Sequence, residues 1–351
     1  MISTRGLNIF GRRRFLEIAV GALSTAQFAR GQAASARPML DGSVKLAQSE
    51  ATESFPSVKQ IDAGVLDVGY VEAGRVNGPP VILLHGWPYD IYSFAEVTPR
   101  LAAAGFRVIV PYARGYGSTS FLSKQTPRTA QPSALAVDTI ALMDALNIKQ
   151  ATIAGFDWGA RTADIVAALW PDRVRGIVSV SGYLIGSQDA GKMPLSPKAE
   201  LQWWYQFYFA TERGREGYGK YRREFAELIW KLASPKWKFD DATFARSAGA
   251  FDNPDHVDIV IHNYRWRLGL APGEPDLDKL EARLAAAPQI DVPTITLEGD
   301  ENGAPHPEPA AYAKKFSGKY QHRLVKGGIG HNLPQEAPEA FAQAVIDVSK
   351  S

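Results

Sequence analysis

Two short segments hold the residues best suited to covalent chemistry. Asp157 stands between two glycines in Gly155-Phe156-Asp157-Trp158-Gly159, and His331 follows Gly330 in a run that continues Asn332-Leu333-Pro334-Gln335-Glu336. Glycine two residues either side of a reactive side chain permits a sharp, strained turn from strand into helix. That turn lifts the central side chain clear of the sheet, beside the backbone N–H groups of the helix N-terminus. A carboxylate held there can displace at a saturated carbon, opening an epoxide or expelling a halide, and forms an ester with its own side chain. Water then attacks the carboxyl carbon and regenerates the acid. The second step needs a general base, for which His331 is the candidate, and donors for the oxyanion. Taken alone, the pentapeptide also fits a turn whose aspartate merely caps a helix.

The flanking elements decide whether such a turn can form. Ala151-Thr152-Ile153-Ala154 reads as a buried strand, and Ala160 to Trp170 repeats apolar residues at helical spacing until Pro171. Upstream, Gln60 to Val71 alternates as two short strands punctuated by Gly64 and Gly69. Pro80 to Leu84 is a strand buried on both faces that runs into His85-Gly86-Trp87-Pro88. Tyr92 to Ala104 reads as a helix, Phe106 to Val110 as a strand, Pro111 to Ser118 as a turn-rich loop and Ser133 to Leu146 as a helix. Val174 to Ser181 is a further strand. From about 183 to 287 the chain is rich in aromatics and charge, helical, and broken by Pro194, Pro197, Pro235, Pro254 and Pro272. Strand–helix alternation then resumes: Val292 to Leu297, Pro309 to Phe316, Tyr320 to Val325 and Gln335 to Val348. Such alternation predicts a mostly parallel sheet with helices on both faces.

Together, His85-Gly86-Trp87-Pro88, the Arg114-Gly115-Tyr116-Gly117-Ser118 loop, the turn at 155–159 and the segment 330–338 resemble the α/β-hydrolase superfamily from about residue 57 onward. The aspartate stands where lipases and esterases carry serine. The resemblance implies an α/β-hydrolase core at 57–182 and 288–351, with a helical cap, 183–287, inserted after the sixth core strand. It also implies an oxyanion hole from the backbone N–H groups of Trp87 and Trp158. Trp204-Tyr205-Gln206-Phe207-Tyr208-Phe209 looks like the lid stretch of epoxide hydrolases, and Asn263-Tyr264-Arg265 like their second lid tyrosine. Tyr205 and Tyr264 would then hold the epoxide oxygen as the ring opens, unless they only pack the cap. His85, Trp203 and Trp204 are expected at the substrate pocket, and either tryptophan could supply an indole N–H instead. Haloalkane and haloacid dehalogenases share the turn and often carry tryptophan after the nucleophile, as Trp158 does, and form the alternative reading.

One position departs from the family pattern. The residue orienting the histidine is expected three positions after Gly299, where Asn302 stands. An amide cannot stabilise an imidazolium as a carboxylate does. Either Asp300 or Glu301 takes the role, or ester hydrolysis is slow. A binding protein on a hydrolase scaffold is the remaining alternative.

Composition narrows the field further. The 351 residues are 45% hydrophobic and 22% charged, ordinary for a soluble globular protein, and contain no cysteine, which excludes disulfides, thiolate catalysis and cysteine-ligated metals. The reading calls for no cofactor and no metal. Residues 1–36 hold five arginines against Glu17 alone and have the parts of an export signal. Arg12-Arg13-Arg14-Phe15-Leu16 fits the twin-arginine pattern, and Ala34-Ser35-Ala36 fits a cleavage site. Without that leader, 34 basic face 36 acidic residues, a net of −2 that suggests no nucleic-acid partner. The expected protein is periplasmic or secreted, handled by the twin-arginine export machinery, with no stable membrane anchor. Residues 37–56 read as a linker. The aromatic cap suggests a small apolar or aromatic epoxide as substrate.

Overall fold

A computed structural model describes residues 55–351; the expected signal at 1–36 and all but the end of the expected linker lie outside them. Nine strands form one sheet: β1 Lys59–Ala63, β2 Leu66–Gly74, β3 Pro80–Leu84, β4 Arg107–Pro111, β5 Ser120–Phe121, β6 Ala151–Gly155, β7 Val174–Val180, β8 Thr294–Gly299 and β9 Tyr320–Val325. Their spatial order is β1-β2-β4-β3-β6-β7-β8-β9, with the two-residue β5 paired to β2. β1 and β2 run antiparallel to their neighbours, whereas every pair from β4 to β9 is parallel. β3 and β6 are the central strands. Each is almost wholly buried, as expected for parallel strands covered on both faces.

Helices α1 Val97–Ala103, α2 Pro132–Ala145 and α3 Trp158–Leu169 follow β3, β4 and β6, with β5 lying in the loop before α2. Seven helices then lie between β7 and β8: α4 Gln188–Gly191, α5 Pro197–Gln202, α6 Trp204–Phe209, α7 Glu212–Ala233, α8 Asp241–Ala248, α9 His256–Arg267 and α10 Asp278–Ala285. Leaving β5 aside, this insertion comes after the sixth strand. Helices α11 Pro309–Tyr312, α12 Leu333–Glu336 and α13 Pro338–Val348 complete the chain. One apolar core under the sheet gathers Ile82, Ile153, Ile165 and Ile177; another, on the opposite face, gathers Val81, Leu83, Phe94 and Phe341.

Three expected helices are shorter than their sequence pattern. The stretch 92–104 begins as a 3-10 turn, Ile91–Phe94, because the Asp90 carboxylate accepts the Tyr92 N–H and tightens the start. Pro338 divides the closing segment into α12 and α13, since proline lacks the N–H that a continuous helix needs. The segment 309–316 is helical only to Tyr312 and finishes as a 3-10 turn.

A third apolar cluster joins the insertion to the sheet. It contains Trp87 and Trp158 beside Phe209, Tyr218, Phe251, Ile259 and Tyr264. Fully burying side chains of this size contributes roughly 1.5–3 kcal/mol each. A polar chain runs through the same cluster. The Trp87 Nε1–H donates to the Tyr218 hydroxyl at 2.7 Å, and that hydroxyl donates to His256 Nε2 at 2.8 Å. His256 Nδ1–H donates in turn to the Gly115 carbonyl at 2.9 Å. The direction is fixed because burial pushes His256 down to about 3, leaving one ring proton, which the carbonyl must take.

Candidate active site

Asp157 links β6 to α3 with φ 54° and ψ −124°, a conformation that side-chain-bearing residues seldom adopt. The close packing of neighbouring backbone holds it there. A Cβ on Gly159 would lie 1.9 Å from the Leu84 carbonyl oxygen, and one on Gly86 would lie 2.2 Å from Asp157 Oδ1. Only glycine lets the loop after β3 come close enough for the Trp87 N–H to donate to Oδ1, at 2.8 Å. The other oxygen, Oδ2, lies 3.4 Å from His331 Nε2. Burial alone would raise the carboxyl pKa. The His331 ring and the N–H groups of Trp158 and Trp87 outweigh it and hold the group below its usual range, hence ionised. The carboxylate therefore already occupies the backbone N–H groups expected to receive an oxyanion.

His331 is held from behind by the end of α7. Its N–H donates to the Ser234 hydroxyl at 2.9 Å and lies 3.2 Å from the Ala233 carbonyl. Ser234 donates to Glu336 at 2.6 Å, and Glu336 accepts the Gly330 and Asn332 N–H groups. His331 Nδ1 is buried and has no hydrogen-bond partner among the described residues.

None of the three expected orienting residues bonds to His331. Asn302 uses its Nδ2 on Glu298 Oε1 at 2.7 Å and Ser181 Oγ at 3.2 Å, and its Oδ1 accepts the Ala304 N–H. Asp300 faces solvent and accepts the N–H groups of Gly327, Gly328 and Ile329, which keeps its carboxyl ionised below the usual range. Glu301 is exposed. Both polar side chains are spent elsewhere: Asp300 on the N–H groups of the turn after β9, and Asn302 on Glu298, Ser181 and the Ala304 N–H of its own turn.

His85 likewise does not reach the pocket. Its Nδ1–H donates to the Gly86 carbonyl at 3.0 Å and its Nε2 accepts the Ala113 N–H at 3.1 Å, so both nitrogens are used in tying two loops together. Burial pushes it down to about 4 and keeps it neutral.

The insertion closes over Asp157. A cavity of about 450 Å³ is lined by Asp157, Trp158, His331, Tyr264, Trp203 and Arg161, among others. Tyr264 is buried; its ring centroid lies 5.4 Å from that of Tyr205, nearly perpendicular to it, and 5.9 Å from that of Trp158. Burial raises both phenols, with the Asp157 charge adding to the effect, so they remain proton donors. Tyr205 also packs 5.2 Å from Trp87. Trp204 turns away from the cavity and packs against Tyr208 and Phe225.

Several residues at the site are not among those the sequence singles out. Ser234 carries no local signal, since its pairing with Glu336, five residues after His331, spans 102 positions. Arg161 was legible, one helical turn after Asp157, and Arg267 three residues after Tyr264, so each shares a face with its neighbour. Arg265, which follows Tyr264 directly, instead bonds to the Phe209 carbonyl and to Glu212.

The family profile for the alpha/beta hydrolase fold matches residues 79–217. Epoxide hydrolase B of Mycobacterium tuberculosis is 37% identical over 151 residues, 39% of this chain and 42% of that protein, so the match spans less than half of that relative. A haloalkane dehalogenase of Mycolicibacterium paratuberculosis is 32% identical over 254 residues, 70% of this chain and 81% of that protein. Among solved structures, a Klebsiella pneumoniae protein provisionally described as an epoxide hydrolase is 64% identical. It superposes with a TM-score of 0.84, covering 85% of this chain and 98% of the other. The strained aspartate turn, the capped sheet and these similarities together establish that the chain belongs to the α/β-hydrolase family, as an epoxide hydrolase-like member.

Proposed function

We propose that the protein opens an epoxide to a vicinal diol through an ester on Asp157. The observation that carries this reading is the division of labour at one carboxylate. Oδ1 sits against the Trp87 N–H, while Oδ2 lies toward His331, in a cavity roofed by the Tyr264 phenol. In this scheme Oδ2 attacks a ring carbon, the C–O bond breaks, and Tyr264 or Tyr205 gives its proton to the alkoxide. Oδ1 becomes the ester carbonyl oxygen, already placed against the N–H groups that stabilise it as an oxyanion. His331 Nε2 takes a proton from water, which attacks Cγ; collapse breaks the Cγ–Oδ2 bond and frees the diol. The two protons of that water end on the departing hydroxyl and, by way of His331, on the phenolate.

With no carboxylate behind His331 Nδ1 among the described residues, the imidazolium formed in the second step lacks its usual counter-charge. Ester hydrolysis is then the slow step, and the adduct accumulates. Rapid quenching during turnover should show the substrate mass on the peptide containing Asp157. A single turnover in 18O water should yield unlabelled diol and label in Asp157. Label in the first-turnover diol would eliminate the ester.

A second reading is dehalogenation by the same attack. The Trp158 Nε1–H is buried, has no partner among the described residues, and belongs to a side chain lining the cavity, as a halide donor would. The dehalogenase relative, matched over most of its length, supports this reading. Replacing both Tyr205 and Tyr264 with Phe separates the two: it should stop epoxide opening but spare halide release.

A further inference from the structure

Two arginines on the wall of the Asp157 cavity form no ion pair with a carboxylate among the described residues. Arg161 is 7% exposed, and the one hydrogen bond of its side chain among the described residues runs to Asn263 Oδ1 at 3.5 Å. The Arg267 side chain forms no hydrogen bond or ion pair among the described residues; its guanidinium lies 4.8 Å above the Trp203 ring. Both line the cavity that contains Asp157 and His331.

The contrast with Arg114 shows that this is no general habit of the fold. Arg114 is equally buried, but Asp138 grips it at 2.6 and 2.7 Å and the Thr129 carbonyl accepts from it at 2.7 Å. An unpaired guanidinium in a buried site is costly, and a second one beside it adds repulsion. Burial and the Arg267 charge together pull Arg161 down to about 10. The charges of Asp157 and Glu281 favour the Arg161 cation but do not offset its burial, and Asp157 takes its hydrogen bonds from Trp87 and His331. The cavity wall therefore carries two cations against one carboxylate, the charge complement of a monoanion.

From these contacts we infer that the substrate carries a carboxylate, bound between Arg161 and Arg267 while its reactive carbon meets Asp157. This deepens the reading of Asp157 as nucleophile and rests on it for the reaction, though not for the binding. Two guanidiniums also answer an obvious difficulty, since an acidic substrate would otherwise be repelled by the Asp157 carboxylate. The spacing limits the size of the molecule. Arg161 lies four residues after Asp157 on α3, roughly 6 Å along the helix axis, so the acid group is attached at or next to the reacting carbon. The same two arginines, with Trp203, also line a neighbouring cavity of about 620 Å³, so the charge stands where the two spaces meet. That position suits capture of a small anion on its way to the carboxylate.

Binding and turnover test the inference separately. Cyclopropanecarboxylate and cyclopropanecarboxamide match an epoxy acid and its amide in shape but cannot react. Calorimetry on the intact protein should find the acid bound on the order of 10- to 100-fold more tightly than the amide, with the difference shrinking in high salt. Arg267→Gln, and separately Arg161→Gln, should each remove most of that difference, with thermal melting reporting whether each variant folds. Equal binding of acid and amide overturns the inference, as does undiminished acid binding in a folded Arg267→Gln variant. Turnover of glycidate against glycidamide then reports on the reaction. If glycidamide is opened as readily as glycidate, the carboxylate requirement fails while the epoxide reading stands. If the acid binds but only 2-chloropropionate is turned over, releasing chloride, the carboxylate site stands and the epoxide reading fails.

Discussion

Replacing Asn302 with Asp separates the role the family pattern gives this position from the one the structure shows. If the side chain oriented His331, adding a carboxylate would stabilise the imidazolium and speed ester hydrolysis. In the structure, the Asn302 amide donates to Glu298 Oε1 at 2.7 Å, and Glu298 is 6% exposed. The substitution removes a hydrogen bond to a charged acceptor, about 1.5–3 kcal/mol, and sets two carboxylates against each other. At about 4 Å with an effective dielectric of about 20, their repulsion approaches 4 kcal/mol. The side chains can turn apart and escape part of it, so the variant's stability deficit should be about 2–4 kcal/mol at pH 7. Urea titrations of parent and variant at pH 7, with turnover measured at the same pH, give both quantities. A variant that turns over about tenfold faster with unchanged stability would refute the reasoning, since Asn302 would then have to face His331.

Other perturbations probe the remaining contacts. Gly86→Ala would place a methyl 2.2 Å from Asp157 Oδ1, so activity should fall by at least about 100-fold as the Trp87 N–H withdraws; steady-state kinetics beside a thermal melt measure this. His331→Gln should still form the Asp157 adduct but fail to clear it, giving a stable mass increase on that peptide. Burial raises Asp90 to about 7, so between pH 4 and 7 the folded state holds a proton that the unfolded state has lost, and stability declines as pH rises. Asp90→Asn should flatten that slope and be more stable at pH 7 by up to about 4 kcal/mol, which denaturant titration across the range would show. Arg12 and Arg13 both changed to Lys should keep a reporter fused after residue 36 in the cytoplasm, checked by fractionation.

How far the sequence could be read depended on whether a signal was local. The Asp157 turn was legible because strand, glycines and helix follow one another within a few residues, and periodicity sufficed for the parallel strands. Capping by Asp90 and the interruption at Pro338 shortened helices whose apolar pattern ran on past them. The orienting residue was misplaced for a different reason. Counting from Gly299 fixes where Asn302 lies along the chain, but the turn after β8 bends its amide toward Glu298 and Ser181. His85 looked available for the same reason, until two loops distant in sequence used both of its nitrogens. The unpaired state of Arg161 and Arg267 could not be read at all, because it depends on which acids fail to approach.

The α7 helix has a consequence for how the interior is reached. Its closing residues, Ala233 and Ser234, contact the main chain of His331, and Trp230 donates to the Pro88 carbonyl at 2.7 Å, beside Trp87. Swinging the whole roof outward would unseat His331 and the loop that supplies the Trp87 N–H in the same movement. The short segments before α6, around Leu195, Ala199 and Trp203, border the same cavity and form no hydrogen bond to His331 or to the 85–88 loop among the described residues. One insertion thus contains two unlike parts: a beam that keeps His331 and the 85–88 loop in register, and short segments beside it that border the cavity outside that tie.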